Sequence, residues 1–393
     1  MAYDVTSWFK EQLALKISSP KRTFTIGTSD YSERVAAWPT IKRSWDGVMP
    51  QSVTLNLVNE DQAMNFVHTD KTNLSKDCFI KFGFTHPTSG DELITMYSGT
   101  IDKARYKGGQ CTLTLLDKFK RLSERVMGTN DAPVTFTNST LPSDIVWTAV
   151  TCYGGYSSIQ STSNPDINYT SWLEWALVFS TDNVFMNGNS SGKKITEILK
   201  KMARYTNSAI YIEDNKIAFK RFSVTDSFQT SLTNDDIIDI ELEIDDEDII
   251  NKQYVYGAYD VASRDWGVQV YEVSTSSVNT YGLKEQIEKD ESIWYVNSIS
   301  AVNLAQRIIN TAGEPYDRIR VDTTLVAAIR QIGETISIED TSFGGSIDSG
   351  YRIMGYSINL DKGLYSADLD VSQFSFPFRL DISTLDGTLH VLI

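Results

Sequence analysis

The sequence predicts an α+β chain that is mainly β, on three observations. Period-two alternation of apolar and polar residues dominates residues 1–125 and returns after Ala209. Helical spacing is concentrated between 126 and 206. And one stretch near the start has a diverged counterpart near the end.

In the first part, Val53, Leu55 and Leu57 alternate with Ser52, Thr54 and Asn56, and Cys111, Leu113 and Leu115 with Gln110, Thr112 and Thr114. Such alternation puts one face on a core and one in water. Gly108-Gly109 marks a hairpin before the second of these strands. The apolar run Cys78 to Phe84 and the stretch Leu93 to Asp102 complete a compact antiparallel sheet.

The texture then changes. Ser143 is placed to cap a helix whose Ile145, Val146, Ala149 and Val150 share a face, ending near Gly154-Gly155. Trp172, Trp175, Ala176 and Phe179 repeat the i, i+3, i+4, i+7 spacing. So do Ile195, Ile198, Leu199, Met202 and Ala203, in a helix stopped at Asn207. Beyond it, Ile210 and Ile212 lead through Asp214-Asn215 into Ile217 and Phe219. Residues 254–256 and 268–271 are further strands. A last amphipathic helix carries Val302, Ala305, Ile308 and Ile309, and Gly313 and Pro315 end it.

Residues 97–117 (YSGTIDKARYKGGQCTLTLLD) and 353–371 (IMGYSINLDKGLYSADLDV) share a plan. A glycine-containing strand leads through a short polar turn with glycine into a strand of alternating aliphatic residues. Each is preceded by another strand, Cys78 to Phe84 in one case and Glu334 to Asp340 in the other. We read this as a diverged duplication of one small β-barrel or sandwich.

Composition narrows function. The 393 residues carry 51 acids against 36 bases, a formal charge of −15, which argues against gripping nucleic acid through a basic surface. It leaves open a polyanion passing without being held. Three cysteines, Cys78, Cys111 and Cys152, include no C-x-x-C pair and make no disulfide framework, so a reducing compartment is expected. The N-terminus lacks a basic segment followed by an apolar core, so no secretory signal is expected, nor is a membrane-spanning segment.

Catalytic motifs are poor. His68, His86 and His390 are not spaced with one another or with cysteine for zinc. Gly188-Asn-Ser190-Ser-Gly192 matches G-x-S-x-G by letter, but the one histidine downstream is His390, so a polar loop opening a helix is the better reading. The same loop fails as a phosphate-binding loop, because its glycines are one residue too close. Carboxylates are abundant and no pair stands out. No catalytic, metal or cofactor residues are assigned. The most unusual stretch is Asp235 to Asp248, with nine acids and no base. Within it Ile238, Ile240, Leu242 and Ile244 alternate with Asp239, Glu241, Glu243 and Asp245, giving an aliphatic face and an acidic one. Taken alone it is a solvated face protecting an edge; the sharper reading is a channel wall that offers a polyanion no sticking points.

Several segments taken in order resemble the baseplate hub, or tail-hub, proteins of long-tailed bacteriophages and gene transfer agents. They are 45–61 (WDGVMPQSVTLNLVNED), 97–102 (YSGTID), 113–118 (LTLLDK), 142–147 (PSDIVW), 164–169 (NPDINY), the helix at 193–205 and 385–387 (LDG). The resemblance implies two related tube-type antiparallel β-barrel domains with a helical insertion and a smaller mixed domain. The expected division is a first barrel at 1–125, the insertion at 126–206, a second barrel at 207–260 with 318–375, a mixed domain at 261–317 and a C-terminal β segment at 376–393. It further implies a homotrimer whose six barrels form a pseudo-hexameric ring in the virion tail tip, assembled in the host cytoplasm. Its partners would be a distal tail or tail tube protein, a tape measure protein and a central fibre or spike, with viral DNA passing through. Asp239, Glu241, Glu243 and Asp245 are then the candidate channel-facing strand. The family's working surfaces are interfaces, so no enzyme is expected. Two other classes are an all-β carbohydrate-active enzyme, suggested by the wealth of Trp, Tyr and carboxylates, and a monomeric receptor-binding module with exposed aromatics.

Overall fold

The computed structural model describes residues 5–15, 20–44, 48, 50–129, 134–181, 186–222, 230–245, 249–260, 262–290, 293–338, 349–361 and 364–370. The expected segment 376–393, with His390 and 385–387, lies outside the described residues.

A short helix α1 (Ser7–Ala14) precedes eight strands: β1 (Lys21–Ile26), β2 (Ser29–Asp30), β3 (Val35–Ala37), β4 (Thr40–Ser44), β5 (Ser52–Val58), β6 (Asp77–His86), β7 (Gly90–Lys107) and β8 (Gln110–Leu116). Seven of them form one antiparallel sheet in the order β2-β1-β6-β7-β8-β5-β3. Alternation drives it as expected. Val53, Leu55 and Leu57 are buried with Cys111, Leu113 and Leu115, against which the register pairs them. Gly108 and Gly109 close the β7–β8 hairpin at φ +57° and +76°, a left-handed pair that suits the two-residue turn.

Helices follow at α2 (Pro142–Thr148), α3 (Tyr169–Thr181) and α4 (Ile195–Tyr205). Ser143 does not cap α2. Leu141 holds the cap position, Pro142 starts the helix, and Ser143 is buried inside its first turn. Proline won because its fixed φ suits a first helical residue and its missing N–H is no loss there. α4 buries Ile195, Ile198, Leu199, Met202 and Ala203 on one side, and Asn207 at φ +50° ends the run. The hairpin β9 (Ser208–Glu213) and β10 (Lys216–Arg221) turns on Asp214 and Asn215, both at positive φ. Its Ile210, Ile212, Ile217 and Phe219 join the helical core, while Ala209, Tyr211 and Ala218 join the core of the sheets.

The rest includes β11 (Thr230–Leu232), β12 (Ile237–Asp245), β13 (Lys252–Asp260), β14 (Asp265–Val273), β15 (Glu285–Glu288), helix α5 (Ser298–Ala312), β16 (Tyr316–Thr323), β17 (Thr335–Ile338), β18 (Ser349–Asn359) and β19 (Leu364–Asp370). β14, β13 and β15 form a small sheet in that order, with α5 against it. α5 buries Ala301, Leu304, Ala305 and Ile309, leaving Val302 half-buried.

The second large sheet runs β11-β17-β18-β19-β16-β12. Its plan matches the first. In both, a strand early in the repeat flanks a three-strand meander, and the strand just before the meander returns to its far side, followed by an outer edge strand. Thus β1, β6, β7, β8, β5 and β3 correspond in space and in chain order to β11, β17, β18, β19, β16 and β12. The sheets depart from each other in that β11 pairs parallel with β17 where β1 pairs antiparallel with β6, and in that β2 has no counterpart in the second sheet. The similar segments 97–117 and 353–371 fall on the corresponding hairpins β7–β8 and β18–β19, which makes the duplication a property of the fold.

β4 leaves its own half. Residues Thr40 to Ser44 pair antiparallel with Asn359 to Gly355 of β18, in the second sheet. One hydrophobic core runs through both sheets, from Phe24 and Leu55 to Ile336 and Ile353.

Candidate functional site: an acidic edge strand and a buried polar junction

β12 is an edge of the second sheet and pairs antiparallel with β16. Asp239, Glu241 and Glu243 are exposed, and Ile240 and Leu242 pack on the sheet core beside Ile319 and Val321. Asp245 ends the strand at the register position opposite Tyr316. Ile238 departs from the expected aliphatic face. A register shift between Ile237 and Asp239 turns it outward, 54 % exposed, and Ile237 takes the inward position. A bulge inserts one residue and so exchanges faces on one side of it.

The backbone register sets bases among these acids. Glu241 lies opposite Arg320 and Glu243 opposite Arg318, and on the far side of β16 the same two arginines lie opposite Asp368 and Asp370 of β19. Asp239 lies opposite Asp322. The rows are therefore acid, base, acid: negative in sum, with every arginine position flanked by carboxylate positions. Charge rows on a sheet contribute little to stability where they are exposed, as Glu241, Glu243 and Arg320 are, so their consequence is the field they make.

A second polar group was not found from sequence. Arg43 of β4 is buried and donates from Nη2 to the Met96 carbonyl at 3.0 Å and from Nη1 to Gln331 Oε1 at 3.4 Å, tying the first sheet to the second half. Nearby, fully buried Arg352 donates to the Gly333 carbonyl at 2.7 Å, its guanidinium 4.5 Å from the centre of the Phe222 ring. Asp117, at the end of β8, is buried and accepts the Phe119 N–H at 3.0 Å. Burial pushes its carboxyl up to about 7, against the opposing pull of backbone donors and of Arg43. The available signal was the period of β4, which places Arg43 on the same inward face as Ile41.

Ser190 of the G-x-S-x-G match is fully buried next to the strand Met186–Asn189, its N–H on the Val134 carbonyl. A nucleophile needs access, and this hydroxyl has none. His68 is exposed on a short helix, and His86 stands 4.5 Å from the Trp8 ring with Nδ1 accepting from the Thr88 N–H. Among the described residues no three His, Cys, Asp or Glu gather as metal ligands, and no helix is long and apolar enough to cross a membrane. A cleft of about 240 Å³ does bring Glu174 and Glu213 together with Trp175 and Tyr211. Burial raises Glu213 above the usual carboxylate range. The described tryptophans are all buried or half-buried.

No protein-family model matches the sequence, and no match was found among curated proteins. Solved structures do match, over 90 % of this chain. The 43 kDa tail protein of prophage MuSo2 from Shewanella oneidensis is similar at TM-score 0.56 and 14 % identity, over 90 % of this chain and 98 % of that one. A tail protein from Neisseria meningitidis gives 0.56 at 12 % identity, over 90 % and 98 %. Prophage tail protein gp18 from Listeria monocytogenes gives 0.51 at 10 % identity, over 90 % and 94 %. The chain has the fold of these phage tail proteins, the fold its sequence resemblance implied.

Proposed function

We propose that the chain is a structural hub of a phage tail tip or baseplate. Three copies would form a ring of six related sheets that joins the tail tube or distal tail ring to a central fibre or spike, beside a tape measure protein. The observation that carries this reading is the repeated strand order, which puts two pseudo-equivalent sheets in one chain. A threefold ring of such chains presents six similar units to whatever it caps. In this reading the two large sheets are the two tube-like barrels, 126–206 is the side-facing insertion, and the mixed domain expected at 261–317 also takes in β13, which pairs with β14 and β15. The acids Asp239, Glu241, Glu243 and Asp245 face the channel, where a net negative wall lets DNA slide without binding. The protein works mechanically and catalyses nothing.

Native mass by light scattering, with negative-stain images of the same fraction, tests it. The expected mass is three times 44.2 kDa, about 133 kDa, with a central hole. A monomer at high concentration, also in the presence of tail tube and spike proteins, would overturn the ring. A carbohydrate-active reading has one specific support, the Glu174–Glu213 cleft with its raised carboxyl. It requires polysaccharide hydrolysis that Glu213→Gln abolishes. The expected result is no hydrolysis by either form.

A further inference from the structure

Edges of β-sheets are places where another chain can add, and the edges of the two large sheets here are blunted. The first large sheet ends in β2, of two residues, and β3, of three. The second ends in β11, of three residues, and in β12, which is longer but bulged and lined with exposed acids. β15, an edge of the small sheet, has four residues, two of them Glu. β14, its other edge, is different. It runs nine residues, Asp265–Val273, with no lysine and no proline, and among the described residues no strand lies along its outer side.

Side chains on both faces stop short there. Toward α5, Val268 and Val270 of β14 stay half-buried, whereas Val255 on the central strand β13 is 1 % exposed. On the opposite face the register makes an apolar row of Ile287, Tyr254 and Tyr271, ending at the edge with Tyr271 59 % exposed. Val273 beside it is 43 % exposed. The row is ordered: the rings of Tyr254 and Tyr271 lie 5.7 Å apart, and Lys252 Nζ sits 4.9 Å from the first and 5.7 Å from the second. Lys252 is held there by Glu285 at 2.8 Å.

We propose that β14 is a docking edge that accepts an extended segment of a partner protein by strand addition. Backbone hydrogen bonds would supply the pairing. Alternate apolar side chains of the segment would cover Val268 and Val270 on one face and extend the Tyr254–Tyr271 row on the other. The segment is basic rather than acidic, because β14 carries Asp265 and Glu272 with no base, on a chain of net charge −15. A second copy would bring the same acids to the same edge. The proposal goes beyond the hub reading and holds whatever ring the chain forms.

The test uses the full chain and a nine-residue peptide alternating valine with threonine and lysine, read by amide hydrogen exchange. With saturating peptide, amides within 265–273 slow by about tenfold while those of β12 do not change. A peptide with glutamate in place of lysine protects much less. Tyr271→Ser combined with Val273→Ser, both at exposed positions, removes most of the protection and leaves exchange elsewhere unchanged, which shows the fold intact. Absence of protection, equal protection at β12, or protection indifferent to the double substitution overturns the proposal. So does slow exchange at 265–273 without peptide that tracks self-association in light scattering, which would make the occupant a second copy.

Discussion

Asp117 makes the chain less stable as pH rises, and Asp117→Asn removes that dependence. Its carboxyl has an ordinary value of 3.8 and is pushed up to about 7 in the folded chain by burial. Between those values the folded form holds a proton that the unfolded form has released. Folding stability therefore falls with rising pH across that window and levels off above it. A rise of about three units is worth about 4 kcal/mol in all, of which about 3 kcal/mol falls between pH 5 and pH 8. Asparagine keeps an oxygen to accept the Phe119 N–H and has no charge to bury. The variant should thus gain about 3 kcal/mol relative to the native chain on going from pH 5 to pH 8. Urea unfolding at both values checks this, followed by fluorescence and far-UV circular dichroism together, because a single free energy requires that the two coincide. A difference that stays flat with pH, or that grows in the native chain's favour, would refute the burial argument.

Other perturbations have equally definite outcomes. Gly99→Ala would set a Cβ 2.4 Å from the Leu116 carbonyl oxygen, so it should cost about 3 kcal/mol in the same urea experiment. Arg43→Met removes the hydrogen bonds to Met96 and Gln331, should cost about 3 kcal/mol, and should raise the Asp117 titration further, readable as an upward shift of its pH-dependent stability window. Glu241→Gln with Glu243→Gln, both exposed, should change stability by no more than about 0.5 kcal/mol. In assembled particles the same pair should slow DNA release; unchanged release would remove these residues from the channel.

What could be read from sequence was what is decided locally. The strand β5 and the helix α4 follow from the spacing of Val53, Leu55, Leu57 and of Ile195, Ile198, Leu199, and the β7–β8 turn from Gly108-Gly109. Duplication was visible because corresponding hairpins keep their glycines and their alternation. Features decided elsewhere in the chain were not visible. The bulge that turns Ile238 outward arises from its register with β16, and the burial of Asp117 from what folds over the end of β8. For the acidic strand, sequence identified the exposed acids but not the arginine positions opposite them, which lie some seventy to eighty residues downstream. Pro142 displaced Ser143 from its expected role by a rule as local as the one it overrode.

The pairing of β4 with β18 has a consequence for biosynthesis. Ser44 and its partner Gly355 are separated by most of the polypeptide. At roughly 5–20 residues per second, β4 leaves the ribosome on the order of half a minute before its partner exists. During that interval the first sheet can form from its own strands, but β4 remains an unsatisfied strand with Ile41 and Arg43 on its future inner face. Closing so long a loop is slow, and it cannot begin until β18 has been made. The two halves are therefore joined through β4 only late in synthesis, so that a chain truncated before β18 would have the strands of the first sheet and a β4 still open to the wrong partner.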